Sequence, residues 1–564
     1  MPAELWTLKP ADDARATALA RELSLPIAMM RVLVARGVDE LETVKAYLEP
    51  RLGQLTNPAA MAALSQALDR LMEAFEAGQH IGVFGDYDVD GVSSAAMVGD
   101  YLKRCGANVT LRVARRDEGY GFHVSQAQEL IDQGVQLLVL TDTGTHDVEA
   151  VGHAQQVGVD VIALDHHRVG ELSWPGFALV NPHRPDCAFP YKGLCAAGLA
   201  FYVMAALRRR LEARGREAVD PRENLDLVAL ATLADVAPLD GDNRILVAHG
   251  LRGLERTERP GLRELLRLCD LKGRRPTAED VGWRLGPRLN APGRLGDASV
   301  SLDCLAQRNE RTAVESARRC DALNEQRKEI QRRILEAARA QAEEQGDAPF
   351  LLVADEDWHP GVIGIVAGRL TEEFERPAAV VALEGEVGRA SARSVEGVDL
   401  FAVLSRCSEL FVRFGGHAAA AGFTVERKQL EALRLALAGA AERALADRPA
   451  PSLQLDAELS LATIDFGFVR QLARLGPHGE GNPTPLFLTR RARVESSQIV
   501  GANHLRLALR QDRAVRQAIG FGLAESRPEP GSRVDIAYVA EIDHYKGVER
   551  LRLRLVDIAP SRGG

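Results

Sequence analysis

Several things this chain lacks narrow what it can be. No apolar run reaches the roughly 20 residues that a membrane-spanning helix needs, so no transmembrane helix is expected. The first six residues have neither the basic start nor the apolar stretch of a secretory leader, so no secretion signal is expected. Cysteine is scarce. The seven stand singly at 105, 187, 195, 269, 304, 320 and 407, and no C-x-x-C pair occurs. An odd number cannot all pair within one chain, so reduced thiols and a cytoplasmic location are expected. Excess positive charge is missing too: 70 Lys and Arg stand against 79 Asp and Glu, a net charge of -9. The overall charge therefore does not mark a nucleic-acid binder, although a local basic groove is all that one requires. The basic residues are mostly Arg, which suits bidentate phosphate contacts, but GC-rich coding gives the same bias. What is present is globular, with 46 % hydrophobic and 26 % charged residues in 564, enough chain for three or four domains.

Pattern changes divide the chain. Residues 1–80 read as short helices at 14–23, 26–35, 41–47 and 58–76, with Gly37 and Gly53 as turn signals. From Ile81, short apolar runs at 81–85, 109–113, 136–140, 160–164 and 177–180 alternate with helix-like stretches. That alternation predicts an α/β domain with a mostly parallel sheet over 81–304, on which the 1–80 segment is expected to pack. Residues 305–345 are rich in Arg, Glu, Gln and Ala and hold no Gly or Pro. They predict one long charged helix. Its sparse apolar positions keep no heptad, so it reads as a connector rather than a coiled coil. A second α/β unit is expected over 346–448, opening with the strand Phe350-Leu351-Leu352-Val353-Ala354. From 449 to 564 the pattern turns to alternating β, with six strands that suit a small barrel. Between Phe487 and Arg554 there are 13 basic and 8 acidic residues. That local excess fits a β domain with a merely basic surface as well as a nucleic-acid-binding barrel.

The chemistry gathers at strand ends. Asp86-Tyr87-Asp88-Val89-Asp90-Gly91 follows the first strand of the α/β domain and opens a helix. In open α/β sheets that edge is where ligands bind. One Asp there caps a helix; three in five residues repel one another and call for a cation. Ser93 and Ser94 at the helix start are candidates for capping it or receiving a phosphate. Thr141-Asp142-Thr143-Gly144-Thr145-His146 and Asp165-His166-His167 each follow a further strand, and Asp235, in Leu230-Ala231-Thr232-Leu233-Ala234-Asp235-Val236, is expected at a fourth neighbouring strand end. Carboxylates with one or two imidazoles are ligands for Mn²⁺ or Mg²⁺, not a thiolate zinc site. Their number suggests two metals that clamp the attacking and leaving oxygens of a phosphoryl transfer.

Taken in order, these motifs resemble those of the bacterial RecJ single-strand exonucleases of the DHH phosphoesterase superfamily. Asp165-His166-His167 corresponds to the triplet that names the superfamily. Asn181-Pro182-His183-Arg184, Leu194-Cys195-Ala196-Ala197-Gly198, Ala234-Asp235-Val236-Ala237-Pro238 and Gly286-Pro287-Arg288-Leu289-Asn290-Ala291-Pro292-Gly293-Arg294 match further stretches of that family. The resemblance implies metal ligands at Asp86, Asp88, Asp90, Asp142, His166 and Asp235, with Asp165 and His167 in or close to the shell. Either Asp88 or Asp142 is a candidate to bridge the ions. Asp165 is a candidate to orient a histidine instead of binding metal. The catalytic group would be Asp88, Asp142, His166 and His167. Thr143-Gly144-Thr145 departs from the commoner Asn-Gly-Ile form and changes no ligand, and His146 has no counterpart as one.

The same resemblance implies a substrate side. Arg115, Arg116 and the turn Glu118-Gly119-Tyr120-Gly121 would contact DNA, with Tyr120 either stacked on a base or simply packed. Arg288, Asn290 and Arg294 join that set. In the second α/β unit, which resembles the DHH-associated domain, Ser391 and Arg393 would grip a terminal 5′-phosphate, with Arg389 in reserve. In Gly415-Gly416-His417, the glycines would let a backbone approach and His417 would donate to a phosphate oxygen. The last domain resembles the family's OB-fold, and Leu475-Gly476-Pro477-His478-Gly479-Glu480-Gly481-Asn482-Pro483 matches a turn read as structural. The activity implied is 5′→3′ hydrolysis of single-stranded DNA to 5′-mononucleotides by a monomer with two Mn²⁺ or Mg²⁺ ions, in DNA repair and recombination. Partners implied by the family alone are a single-strand-binding protein and a RecQ-type helicase. Three other readings use the same residues: a phosphodiesterase of short or cyclic dinucleotides, an inorganic pyrophosphatase, and a catalytically dead scaffold. The first does not need the barrel, the second does not need so long a chain, and the third tends to lose ligands that are all present here.

Overall fold

The computed structural model describes residues 5–119, 121–170, 173–446, 448, 452–545 and 548–561. The first α/β domain is built on five parallel strands in the spatial order Asn108–Val113, His80–Gly85, Leu137–Thr141, Asp160–Leu164, Ala178–Val180. Leu137–Thr141 is buried along its whole length, as a central parallel strand covered on both faces must be. The strand order reverses at His80–Gly85, whose neighbours are the second and third strands of the sheet. Asp86 and Asp142 leave adjacent strands at that switch point, where a crevice opens in doubly wound sheets. The helix Val89–Arg104 starts immediately after Asp86 and packs on the sheet so closely that only glycine fits. A Cβ on Gly85 would stand 2.3 Å from the Gly91 carbonyl oxygen, and one on Gly91 2.5 Å from the Asp86 nitrogen.

The connector helix runs from Glu310 to Glu344, with the Asn309 side chain capping the Thr312 N–H. At 1.5 Å per residue it is about 52 Å long. Its N-terminal half buries Ala317 and Cys320 in the core of the first domain. Its C-terminal half buries Ile334, Ala338 and Ala342 in the second α/β unit. That unit has a five-stranded sheet in the order Arg413–Gly416, Ala420–Glu426, Val387–Arg393, Ala378–Glu384, Leu351–Asp355, antiparallel except for the last pair. The C-terminal domain is a closed barrel. Its strands follow Ala457–Glu458, Phe487–Val500, His504–Gln511, Ala514–Gly520, Val548–Pro560, Arg533–Tyr545, and the last pairs back with Phe487–Val500. Among the described residues no helix is long and apolar enough to cross a membrane.

The N-terminal segment corrects one expectation. Residues 5–80 do not pack as a unit on the first α/β domain. The part from about Leu52 onward does so, through Leu52, Leu55, Met61 and the helix Leu64–Ala77 with its Leu64, Leu68, Leu71, Met72 and Phe75. The helices Asp13–Leu23, Ile27–Ala35 and Leu41–Leu48 bury Leu19, Met29, Met30, Leu33 and Val44 in one cluster with barrel residues Phe468, Leu475, Phe487 and Tyr538. The strand Trp6–Leu8 pairs in parallel with Leu453–Leu455, which ties the start of the chain to the entrance of the barrel. The physical reason is that an apolar stripe states that a helix must be covered but not by what.

Helices, barrel and catalytic domain meet at a polar seam. Arg244 is buried and stacks over the Tyr47 ring, 3.6 Å from its centroid. It donates to the carbonyls of Tyr47 (3.1 and 3.2 Å), Arg474 (3.2 Å) and Leu475 (2.9 Å), and to no carboxylate. Beside it, buried Asn482 accepts from the Tyr47 hydroxyl (2.8 Å) and from Arg36, and donates to the carbonyls of Leu475 (2.9 Å) and Pro477 (2.6 Å). Arg244→Ala takes the guanidinium from the carbonyls of Tyr47 and Arg474, each costing about 1–3 kcal/mol when unpaired, while Leu475 keeps its bond from Asn482. The expected result is a loss of about 2 kcal/mol or more in chemical denaturation, with earlier proteolysis around residues 452–480. An unchanged midpoint would show that water replaces the guanidinium at no cost.

Candidate metal centre

Each acidic motif is held in place by backbone before any cation is considered. Asp88 caps the helix Val89–Arg104 by accepting from the Gly91 N–H (3.0 Å). Asp90, one residue into that helix, is buried and accepts from the N–H groups of Ala196 (2.7 Å) and Ala197 (2.9 Å). Those two open the helix Ala196–Ala213, so its N-terminal dipole supports the Asp90 charge. Asp142 has φ +61°, a left-handed conformation that Asp tolerates. Asp235 does not stand at a strand end as expected: the apolar run before it is the buried helix Leu225–Ala234, apolar all round, and Asp235 caps that helix's end.

These side chains converge. Ligand atoms of Asp86, Asp88 and Asp142 lie within 4.8 Å of one another. So do those of Asp90, His166 and Asp235, and those of Asp142, His166 and His167. His166 joins the groups, with Nε2 3.1 Å from Asp142, 3.7 Å from Asp90 and 3.9 Å from Asp235. Asp142 and His166 thus stand where the triads overlap. Asp165 behaves differently. It accepts from the N–H groups of Thr145 (2.9 Å), His166 (2.8 Å) and His167 (3.2 Å), and pairs with Nδ1 of His167 at 2.7 Å. That contact fixes the tautomer and orientation of the His167 ring, as carboxylates behind metal-binding histidines do. Asn181 closes the arrangement from beneath, donating to the His167 carbonyl (2.8 Å) and to Thr145 Oγ1 (3.1 Å).

The electrostatics call for a cation. Burial pushes Asp86 up to about 7, with help from the Asp88 charge. Burial pushes Asp235 up to about 8, with Asp90 and Asp88 adding to it. Burial also raises Asp90, and it raises Asp142 well above the usual carboxylate range, where the neighbouring carboxylates push the same way. Asp165 goes the other way. Burial alone would raise it, but His167 and Thr145 outweigh that and hold it well below the usual range, while the Asp165 contact lifts His167 to about 9. One oxygen of Asp86 is buried with no hydrogen-bond partner. An orphaned carboxylate oxygen among oxygen and imidazole donors fits a hard or borderline divalent ion. His146 is exposed and outside these groups. Ser93 and Ser94 are fully buried within their helix; the Ser94 hydroxyl bonds back to the Gly91 carbonyl, and the Ser93 hydroxyl is shut away from the surface without a partner.

Next to the carboxylates lies a cluster of arginines. Arg116 stacks over the Tyr87 ring (4.4 Å), donates to the Gly293 carbonyl (2.9 Å) and faces Asp86. Arg294 donates to the Gly361 carbonyl (3.3 Å) across the junction with the second α/β unit, which is tight enough that a Cβ on Gly361 would stand 2.0 Å from the Arg294 oxygen. Burial, then Arg116, Arg327 and Arg393, push Arg294 down to about 10. Arg393 is lowered by burial, and its guanidinium lies 3.5 Å from Ser391 Oγ. Among the described residues no carboxylate forms an ion pair with Arg116, Arg294 or Arg393. Ser391 and Arg393 lie on one face of the strand Val387–Arg393, and Arg389 is exposed farther along it. Across the sheet Ser391 pairs with Gly422, which pairs with Gly415, so bare backbone extends beside the serine. Gly416, at φ +149°, has no room for a Cβ, and His417 at the hairpin end is exposed.

Other expected contacts stand elsewhere. Arg115 is paired with Asp117 (3.0 Å) on the surface. Arg288 is paired with Asp321 of the connector helix (2.7 Å) and braces it. Asn290 is half-buried on the same helix as Arg294. Tyr120 lies outside the described residues. Sequence reasoning does not single out Thr145 or Asn181 as supports of the histidines. Both motifs stand out in the sequence, but the contact joins residues 36 apart.

Residues 80–232 match the DHH family N-terminal domain, residues 347–443 the DHHA1 domain and residues 455–557 the RecJ OB domain. Fold and site together define a protein of the DHH class with an appended OB-fold barrel. The chain is 34 % identical to the single-stranded-DNA-specific exonuclease RecJ of Salmonella typhimurium over 562 residues, 95 % of this chain and 96 % of that one. It is 32 % identical to RecJ of Bacillus subtilis over 565 residues, 99 % of this chain and 71 % of that one. A crystal structure of RecJ from Thermus thermophilus in complex with Mn²⁺ matches with TM-score 0.85 at 29 % identity, over 99 % of this chain and 80 % of that one. The chain belongs to the RecJ family.

The raised carboxylates set a pH dependence. A carboxyl whose folded pKa exceeds its unfolded value costs stability once both states ionise, so stability falls as pH rises from about 4 through the folded pKa. In chelator, the melting temperature is therefore expected to drop from pH 5 to pH 8, inside the window bounded below by the ordinary carboxylate value and above by Asp86 and Asp235 at about 7 and 8. His167, raised to about 9, adds a loss of the same sign at the upper end. Mn²⁺ competes with those protons, so its stabilisation should grow over the same window, reaching about 2.7 kcal/mol per site at a hundredfold excess over Kd. A Mn²⁺ effect that is equal at both pH values would contradict this account.

Proposed function

We propose that this chain is a 5′→3′ exonuclease that hydrolyses single-stranded DNA to 5′-mononucleotides, using two divalent cations, Mn²⁺ or Mg²⁺. One observation carries the reading. The carboxylate–histidine centre and a cluster of arginines without carboxylate partners are contiguous, and Arg116 faces both Asp86 and Arg294. The donor set fits divalent cations on Asp86, Asp88, Asp90, Asp142, His166 and Asp235, with Asp142 and His166 between the groups. Cations held there would supply an activated water and neutralise charge on the scissile phosphate.

The chain's own residues do the rest. Arg393 and Ser391, with Arg294 behind them, offer a planar fork and a hydroxyl to a phosphate dianion. A terminal 5′-phosphate carries that second charge and an internal phosphodiester does not, so the pocket selects an end. With the end anchored beside the centre, the first internal phosphodiester falls within reach of the carboxylates, and release of the 3′-oxygen leaves a 5′-mononucleotide. Asp165 keeps the His167 ring from rotating when substrate enters. The glycine backbone at 415 and 422 lets the strand lie close without side-chain obstruction. The barrel holds the strand farther along by backbone contact and stacking, which carries little base preference.

The test is a product-length time course on 3′-labelled single-stranded DNA, with and without a 5′-phosphate, in Mn²⁺ or chelator. Labelled strands are expected to shorten from the far end, only with metal. Asp88→Ala should abolish turnover. Ser391→Ala and Arg393→Ala should raise KM for the phosphorylated strand roughly tenfold or more, the worth of one charge-assisted hydrogen bond, and erase the preference for a 5′-phosphate. Long strands left intact while dinucleotides are cleaved would replace this reading with a small-nucleotide phosphodiesterase.

A further inference from the structure

The turn 476–483 reads as structural in the sequence, yet it touches the loop that carries Asp235. The Leu239 N–H donates to the Glu480 carbonyl at 2.7 Å. Gly481 has φ +69°, and a Cβ on it would stand 3.2 Å from Pro238 Cβ; one on Gly479 would stand 2.8 Å from Leu239 Cδ1. The turn is itself locked. Gly479 and Asn482 exchange both backbone hydrogen bonds (3.0 and 3.1 Å), and the Asn482 side chain is fully engaged in the polar seam. From the opposite side the Pro238 carbonyl accepts from Asn243 (3.0 Å) and the Tyr191 hydroxyl (3.4 Å).

Only Val236 and Ala237 separate this clamp from Asp235. Val236 has φ +56°, a conformation that is costly for a β-branched residue, and it is 64 % exposed, so its own burial does not offset the cost. Backbone strain of this kind persists only where the surroundings over-determine it. Here the surroundings are the helix end, where Ala237 N–H reaches back to the Thr232 carbonyl (3.1 Å), and the clamped Pro238–Leu239 pair.

We propose that the turn 476–483 is a positioning element for Asp235: by clamping Pro238 and Leu239 it holds the left-handed Val236 that aims the Asp235 carboxylate at Asp90 and His166. Cation affinity at that group then depends on residues at the root of the barrel, more than 200 positions away in sequence. The inference rests on the reading of Asp235 as a cation ligand.

The experiment is a Mn²⁺ titration of the intact chain, following free Mn²⁺ by electron paramagnetic resonance, with circular dichroism as a check on folding. Gly481→Ala sets a methyl group against Pro238 and is expected to weaken one of the two Mn²⁺ ions about tenfold or more, the usual cost of disturbing a ligand's support. Asn482→Ala loosens the turn without adding atoms and should act in the same direction, so it carries the test if Gly481→Ala does not fold. Val236→Gly removes the penalty for the left-handed conformation and should restore part of the affinity lost in Asn482→Ala. A merely structural role for the turn would give no such rescue. Gly385→Ala substitutes another left-handed glycine, at φ +61° in open space in the second α/β unit, and should leave both affinities unchanged. Asp235→Asn tests the premise, and two strong Mn²⁺ sites in that variant would overturn the ligand reading itself. If Asp235→Asn loses a site while folded Gly481→Ala or Asn482→Ala keeps both at wild-type affinity, the positioning role is wrong.

Discussion

Carboxylates crowd one end of the parallel sheet, and that crowding is costly wherever they are buried. Asp86, Asp90, Asp142 and Asp235 are all pushed upward, by burial first, with neighbouring carboxylates pushing the same way. A fold that gathers such groups without a cation gives up stability to do so, and the surrounding structure is organised around that cost. The Gly85–Gly91 contact forces the first turn of the helix Val89–Arg104, which carries Asp90, against the end of the strand that leads into Asp86. The N-terminus of the helix Ala196–Ala213 meets Asp90 with two N–H groups. These supports are rigid backbone, which costs no reorganisation when charge arrives.

Polarity is separated on a short length scale. Asp165 and Asp142 leave neighbouring strands of one sheet, yet one is held well below the carboxylate range and the other well above it. The difference lies in their partners. Asp165 has three backbone N–H donors and an imidazole, whereas Asp142 faces mainly other carboxylates. That contrast separates them: the first fixes a ring, and the second is left among charges of its own sign. The arginines next door show the inverse, cations held together without carboxylates, which is an environment for an anion. Two regions of opposite unmet charge bridged by Arg116 suit a substrate whose phosphate fills one while its scissile bond enters the other.

Much of the centre was legible in the sequence because its parts are local. Asp86, Asp142 and Asp165 each follow an apolar strand directly, so a run such as Leu137–Thr141 announces where Asp142 must lie, whereas Asp235 closes an apolar helix that a short reading of its sequence does not tell from a strand. The sheet and barrel were legible for the same reason, since alternation is a property of neighbouring residues. What the sequence hid is pairwise and distant. Arg115 and Arg116 are adjacent and chemically alike, yet one is neutralised by Asp117 on the surface and the other stacks on Tyr87 at the centre. Arg288 and Arg294 share a helix, and only the second faces the arginine cluster. The helices of the first 50 residues show clear apolar stripes, and nothing in a stripe distinguishes a barrel core from a sheet core.

The seam around Arg244 and Asn482 links these observations. It joins the N-terminal helices, the barrel and the catalytic domain through side-chain to carbonyl bonds, which are directional where apolar packing is not. A hydrophobic interface would hold the barrel near the catalytic domain but would allow it to slide. Carbonyl groups gripped by a planar guanidinium and a four-bonded amide allow one register. That register brings Glu480 against Leu239, four residues past Asp235. The polar seam thereby fixes the distance between the barrel and the loop that carries Asp235.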